Sequence, residues 1–172
     1  QMDESDNESF VRIWECQSVY LSLRGESGIY CLGKRNILLR GSSNIKIKFD
    51  YNPHDNFEIY ADKKQMLRVF NNLLNNSVQA IPKYKNGEIN ISIYKEDAYI
   101  IVIVKDNGQG IPEEQKNKIF IPNFSTKTGG MGLGLVIVKN IIEIVSGEIN
   151  FYSQQGEGTT FIIKLPANKI KS

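Results

Sequence analysis

Residues Tyr99 to Val104 form an unbroken apolar run. A segment of this length with no polar side is expected to be a strand buried on both faces. It falls far short of the ~20 apolar residues that a membrane-spanning helix requires. Just before it, Ile89, Ile91 and Ile93 alternate with polar neighbours, the period of a half-buried strand. Two strands joined through Glu96-Asp97 follow, and a chain built around them must supply layers to cover a sheet.

The rest of the composition bounds the class. A chain of 172 residues is about one domain. With 41% hydrophobic and 23% charged residues it lies outside the disordered, collagen-like and disulfide-scaffold classes. Lys and Arg number 21 against 19 Asp and Glu, and the resulting net charge of +2 gives no footprint for nucleic acid or for direct contact with an anionic membrane. Cys16 and Cys31 have neither CxxC spacing nor a neighbouring histidine, so a reducing, cytoplasmic setting fits best. Opening on Gln1 rather than Met suggests a fragment of a larger parent protein, which is free to carry a membrane anchor elsewhere.

The flexible stretch Gly41-Ser42-Ser43 divides the chain provisionally into an N-terminal segment of unassigned role (1–43), a main domain (44–168) and a short tail (169–172). In the first part, Val19, Leu21 and Leu23 alternate before a turn and a second apolar run from Ile29 to Leu32, the pattern of a hairpin. In the second, Ile45, Ile47 and Phe49 read as a strand, and Phe57 to Tyr60 as another. Asp62 suits a helix N-cap. Met66, Val69, Phe70, Leu73, Leu74, Ser77, Val78 and Ile81 keep helical spacing up to Pro82, so Gln65 to Ile81 is expected to be an amphipathic helix. Pro112 opens a short helix, Leu133 to Val145 forms a second long one closed by Gly147, and two last strands flank Gly156-Glu157-Gly158. This order predicts an α/β sandwich: one mixed sheet with helices packed on a single face.

Three features carry chemistry. On the first long helix Arg68, Asn72, Asn76 and Gln79 project side by side, and asparagine is a poor helix former. Amide oxygens are hard ligands able to reach Mg²⁺, although an Asn-rich surface alone could be incidental. Asp106-Asn107-Gly108-Gln109-Gly110-Ile111-Pro112 leaves the end of the most apolar strand, where ligands of open sheets tend to sit; an ordinary turn has the same composition. Ser125 to Leu135 leads glycine by glycine into the second long helix, whose first amides suit phosphate oxygens. No Gly-Lys-Ser/Thr follows, so this is not a P-loop, and glycines 130, 132 and 134 do not form a dinucleotide fingerprint. A flexible hinge would read the same way.

Together these segments resemble the ATP-binding domain of the GHKL superfamily, which includes gyrase, a heat-shock chaperone, histidine kinases and a mismatch-repair ATPase. Asn72 to Ser77 is similar to its N box, Asp106 to Pro112 to its first glycine box, and Ile119-Phe120 through Phe124-Ser125-Thr126-Lys127 to its F box. Gly130 to Leu135 resembles the second glycine box and Gly156 to Phe161 the closing segment. The likeness covers about Asn44 to Pro166, and the F box points to sensor histidine kinases. It implies a Bergerat-type ATP-binding fold with ATP and Mg²⁺ as ligands. Asn76 would bind Mg²⁺ with Asn72 assisting, and Asp106 would receive the adenine amino group. Lys127 and the amides of Gly130, Met131, Gly132, Leu133, Gly134 and Leu135 would hold phosphates. Gln79, Gly108, Gly110, Ile111 and Thr159 would line the nucleotide site, and Phe120 and Phe124 would anchor a lid between Pro122 and Met131. The implied partners are a histidine phosphoacceptor and dimerisation domain of the same parent protein and the receiver domain of a response regulator.

Hydrolytic members of the superfamily generally carry a Glu where this chain has Asn72. An amide cannot take a proton from water at neutral pH, which favours a kinase over an ATPase. A non-catalytic ATP-sensing module and a hydrolytic GHKL ATPase are the alternatives. His54 is the sole histidine. It follows Pro53, where a helix is disfavoured, and lacks the basic residue or proline expected after an acceptor, so the phosphoacceptor is expected on another domain.

Overall fold

The computed structural model describes residues 45–52, 54–55, 57–122 and 133–167, together with the backbone of four strands before them. These four are β1 (Glu8–Arg12), β2 (Ser18–Leu23), β3 (Glu26–Cys31) and β4 (Asn36–Leu38). There follow β5 (Ile45–Tyr51), β6 (Glu58–Asp62), α1 (Lys63–Ala80), β7 (Gly87–Glu96), β8 (Tyr99–Asp106), α2 (Glu113–Lys116), α3 (Gly134–Ile144), β9 (Glu148–Gln154) and β10 (Gly158–Pro166).

A six-stranded sheet has the order β4-β5-β7-β8-β10-β9. Only β5 and β7 in it run parallel, with Ile45 opposite Gly87, and α1 supplies the crossover between them. The sheet is therefore mixed. β2 and β3 form the expected hairpin, with Ser18 opposite Cys31, and β1 pairs with β6 outside the main sheet. Pairing of β4 with β5 carries backbone hydrogen bonds across the Gly41–Ser43 stretch, with Ile37 opposite Ile47. β2 also lies against α1. Among the described residues no helix is long and apolar enough to cross a membrane.

One face of the sheet carries the core. Ile47, Ile89, Ile91, Ile100, Val102, Val104, Phe161, Ile163 and Leu165 meet Met66, Val69, Leu73 and Leu74 of α1 and Val138, Ile141 and Ile142 of α3. The apolar run in β8 differs from the sequence expectation. Helices cover one face alone, so the strand alternates: Ile100, Val102 and Val104 join the core, while Tyr99 is exposed and Ile103 half-buried. Ile101 is buried on the other face, outside the core cluster, between its register partners Tyr94 and Lys164. The Lys164 ammonium lies 4.2 Å from the Tyr99 ring centre. Neighbouring side chains on the same face do the covering that a second helix layer would have done.

The helix ends follow local chemistry. Asp62 caps α1 by accepting from the Gln65 amide at 2.9 Å. At the far end of α3 it is Ser146, not Gly147, that takes the left-handed backbone, with φ 58°. The Ser146 amide bonds Glu143 O at 3.0 Å and the Gly147 amide bonds Ile142 O at 2.8 Å, the paired pattern that closes a helix. Gly147 is needed for space, since a Cβ there would stand 2.8 Å from the Lys164 carbonyl oxygen on β10.

Leu73 is fully buried at the junction of α1 with the sheet, whereas Tyr84 is 90% exposed. Leu73→Ala is expected to cost about 2–5 kcal/mol in urea unfolding. Tyr84→Ala is expected to stay within ~0.5 kcal/mol of the parent chain in the same measurement.

Candidate functional site

The site begins with the two sides of α1. Its apolar stripe locks onto the sheet, which leaves Asn72 and Asn76 half-buried on the flank and Gln79 exposed. That flank faces the start of α3. The two adjoin at Gly134, where an added Cβ would make ordinary van der Waals contact with Asn72 Oδ1 at 3.4 Å. α3 has neither a side-chain cap nor an acidic residue in its first turn. Its opening amides, at Gly134 and Leu135, thus bring the positive end of the helix dipole beside the neutral Asn72 side chain. On the sheet side of α1, Ser77 Oγ is buried with no hydrogen-bond partner among the described residues, and elsewhere on the helix so is Asn71 Oδ1.

The second wall is the loop that leaves β8, and it is tied down on three sides. Asp106, 3% exposed, accepts the Gly108 amide at 2.9 Å and the Thr159 amide at 3.2 Å on the same carboxylate oxygen. Asn107 Oδ1 accepts the Glu88 amide at 2.8 Å, and its own amide group donates to Asn86 O at 3.0 Å. The Gln109 amide donates to Ala80 O at 2.9 Å, which satisfies a carbonyl at the end of α1 that has no partner within the helix. The Ile111 amide donates to Ser153 Oγ at 2.8 Å, and the Gly156 amide donates to Gln109 O at 2.7 Å. The loop therefore belongs at once to α1, to β7 and to the β9–β10 hairpin.

Two glycines make that joint possible. Gly110 has φ +70°, and a Cβ on it would run into the Gln154 carbonyl; a Cβ on Gly158, at φ +134°, would run into the Asp106 carbonyl. The contact is backbone on backbone, leaving no room for a side chain on either strand of the crossing.

Phe120 marks the rim. Its ring meets Phe151 edge-on at 5.9 Å, and the Lys139 ammonium sits 5.6 Å from its centre. Ile119 beside it is buried in the core and Ile121 is exposed. Lys127, Gly130, Met131 and Gly132, together with Phe124, lie outside the described residues.

Asn72, Gly134 and Leu135 thus meet beside the middle of α1, and Asp106, Gly108, Gly110, Ile111 and Thr159 gather near its C-terminal end. Leu133 immediately precedes α3, its carbonyl accepting the Ile137 amide at 2.9 Å. Sequence reading passed over Ser153 and Asn107, which hold the loop in place. Ser153 reaches Ile111 across 42 residues, so no local spacing marks it. Asn107 could have been suspected from its place inside the Asp-Asn-Gly turn. His54 sits in an exposed turn, where its amide donates to Asn52 Oδ1 at 3.1 Å, and it belongs to no helix.

A mixed sheet under one helical layer, with a buried carboxylate at the C-terminal end of its interior strand β8 and helix amides beside α1, defines a GHKL-type α/β sandwich. Residues 61–169 match the family described as histidine kinase-, DNA gyrase B-, and HSP90-like ATPase, and the chain belongs to that family. It is 37% identical over 124 residues to sporulation kinase C of Bacillus subtilis, covering 72% of this chain and 28% of that protein. It is 40% identical over 128 residues to the sensor histidine kinase ZraS of Escherichia coli, covering 74% and 27%. Among solved structures, the mycobacterial sensor histidine kinase MprB superimposes with a TM-score of 0.66 at 25% identity, over 76% of this chain and 87% of that one. The catalytic domain of histidine kinase ThkA gives 0.63 at 36% identity, over 72% and 80%. The chain spans less than a third of the length of these curated relatives.

The loop–hairpin joint yields a sharp contrast. Gly156 also has positive φ, +88°, but nothing lies within 4 Å of a Cβ built there. Gly156→Ala is expected to cost about 1–2 kcal/mol of backbone strain. Gly110→Ala is expected to cost more, because the steric conflict adds to the strain, and differential scanning calorimetry of the two variants will rank them.

Proposed function

We propose that this chain is the ATP-binding catalytic domain of a sensor histidine kinase. In this reading it presents the γ-phosphoryl group of ATP to a histidine on a separate dimerisation and phosphoacceptor domain of the parent protein, from which it passes to a response-regulator receiver domain. The observation that carries the proposal is the arrangement along α1: the Asn72 amide with the start of α3 beside the middle of the helix, and a buried carboxylate held by backbone N–H groups near its C-terminal end. This arrangement supports a phosphate-binding end and a base-binding end.

The residues fit the implied ligands. Mg²⁺ prefers a few protein oxygens completed by phosphate and water, and Asn76 and Asn72 supply hard amide oxygens of that kind. The opening amides of α3 and, by the family likeness, Lys127 would neutralise phosphate charge. Asp106 would accept the adenine amino group, with Thr159 and Ile111 beside it. The Asn72 amide has no basic lone pair with which to activate water, which supports transfer over hydrolysis.

Incubating the chain with labelled ATP and a separate phosphoacceptor domain tests the function. Acid-labile label is expected on the acceptor alone, and label on His54 or brisk phosphate release without acceptor contradicts the proposal. Asn76→Ala is expected to abolish Mg²⁺-dependent ATP binding in calorimetry while circular dichroism stays unchanged.

Base reading has its own expected outcome. Guanine places a carbonyl where adenine has an amino group, so ATP should bind at least roughly tenfold more tightly than GTP, the cost of facing two acceptors in a buried site. Asp106→Asn should narrow that ratio. The Gly108 and Thr159 amides would hold the side-chain oxygen where it is, turning the new NH₂ toward the base. Competition of both nucleotides against a fluorescent adenine nucleotide measures the two effects.

A further inference from the structure

Ser153 Oγ, on the edge strand β9, makes three contacts at once: Ile111 N at 2.8 Å, Gly158 O at 3.0 Å and Thr159 Oγ1 at 2.9 Å. A serine hydroxyl has one hydrogen and two lone pairs. The Ile111 amide can do nothing but donate, so it takes one lone pair. The Gly158 carbonyl can do nothing but accept, so it takes the hydrogen. The third contact then runs in a single direction, with the Thr159 hydroxyl donating to the lone pair that remains.

Thr159 is next to the carboxylate in question, since its amide donates to Asp106 Oδ1 at 3.2 Å, and it is 5% exposed. With its proton held by Ser153, the Thr159 hydroxyl has lone pairs alone to offer a ligand, and the Asp106 carboxylate beside it is an acceptor as well. A nucleotide whose base carries an amino group at this edge meets acceptors. One that carries a carbonyl meets no hydroxyl donor unless Thr159 turns its proton inward, and that rotation breaks the bond to Ser153 in a buried place.

We propose that Ser153 is a specificity-determining positioning residue, which holds the Thr159 hydroxyl proton away from the ligand and so biases the site toward 6-aminopurine over 6-oxopurine nucleotides. This deepens the adenine-nucleotide reading above and rests on it. Ser153 does not touch the ligand; it acts through Thr159.

The test is competition binding of ATP and ITP, which differ at the purine 6-position and in N1 protonation but share the rest of the molecule, on the chain as it exists. In Ser153→Ala the Thr159 proton is released, and the ATP-to-ITP preference is expected to narrow by about three- to tenfold, the worth of one hydrogen bond. Adding Thr159→Val removes the donor, so in that background Ser153→Ala is expected to leave the ratio unchanged. Equal weakening of both nucleotides in Ser153→Ala overturns the proposal, because a misplaced loop penalises them alike. A narrowing that persists in the double variant overturns it too. Should Ser153→Ala lose its cooperative thermal transition, Ser153→Cys keeps the side-chain shape in a slightly larger form with weaker hydrogen bonding, and an unchanged ratio there is equally fatal. Failure of the unsubstituted chain to bind either nucleotide would instead overturn the adenine-nucleotide reading itself, whereas ATP preference with an indifferent Ser153 would leave that reading standing and remove this one.

Discussion

The Asp106 carboxylate accepts two backbone amides from segments about fifty residues apart in sequence. Hydrogen bonds to a charged group contribute about 1.5–3 kcal/mol each, roughly twice a neutral bond, and a buried carboxylate without them would be costly. The joint of β8, its following loop and the start of β10 depends on this one side chain. The same oxygen that organises the backbone also fixes the orientation of the group, so under the proposed function a structural requirement and base recognition share one residue.

α1 plays a comparable double part. Its apolar stripe fills the core from Met66 to Val78 and its amide-bearing flank faces the α3 N-terminus. Its last carbonyl, at Ala80, is tied to the glycine loop through Gln109. A shift of the helix along its axis would therefore disturb both ends of the site together. Core packing between α1 and the sheet sets the distance between the amide pair and the carboxylate.

Much of this is legible in the sequence because it depends on local periodicity. The helical spacing from Met66 to Ile81, the alternation at Ile89, Ile91 and Ile93, and the glycines around Asp106 each act within a few residues of themselves. What escapes is decided at a distance. The β8 run carries no sign that Tyr94 and Lys164 would shield Ile101, since that follows from strand register. Ser153 looks like any strand serine until the chain returns Ile111 to it. Gly147 looks like the left-handed closer of α3, yet Ser146 takes that conformation and the glycine answers to the nearby β10 backbone. The pairing of β1 with β6 and of β4 with β5 likewise depends on partners that composition does not name.

The single parallel pair in the sheet has a kinetic consequence. The β7–β8 and β9–β10 hairpins join neighbours and can close early, whereas aligning Ile45 with Gly87 and Thr160 with Lys105 requires closing loops of several tens of residues. Loop closure costs entropy before any contact rewards it, so such pairings form late in folding. The carboxylate joint needs β8 beside β10, and α1 is placed by the crossover from β5 to β7. The candidate site is thus assembled from the slow contacts, and a ligand bound there would select the completed fold over every partly folded form that precedes it.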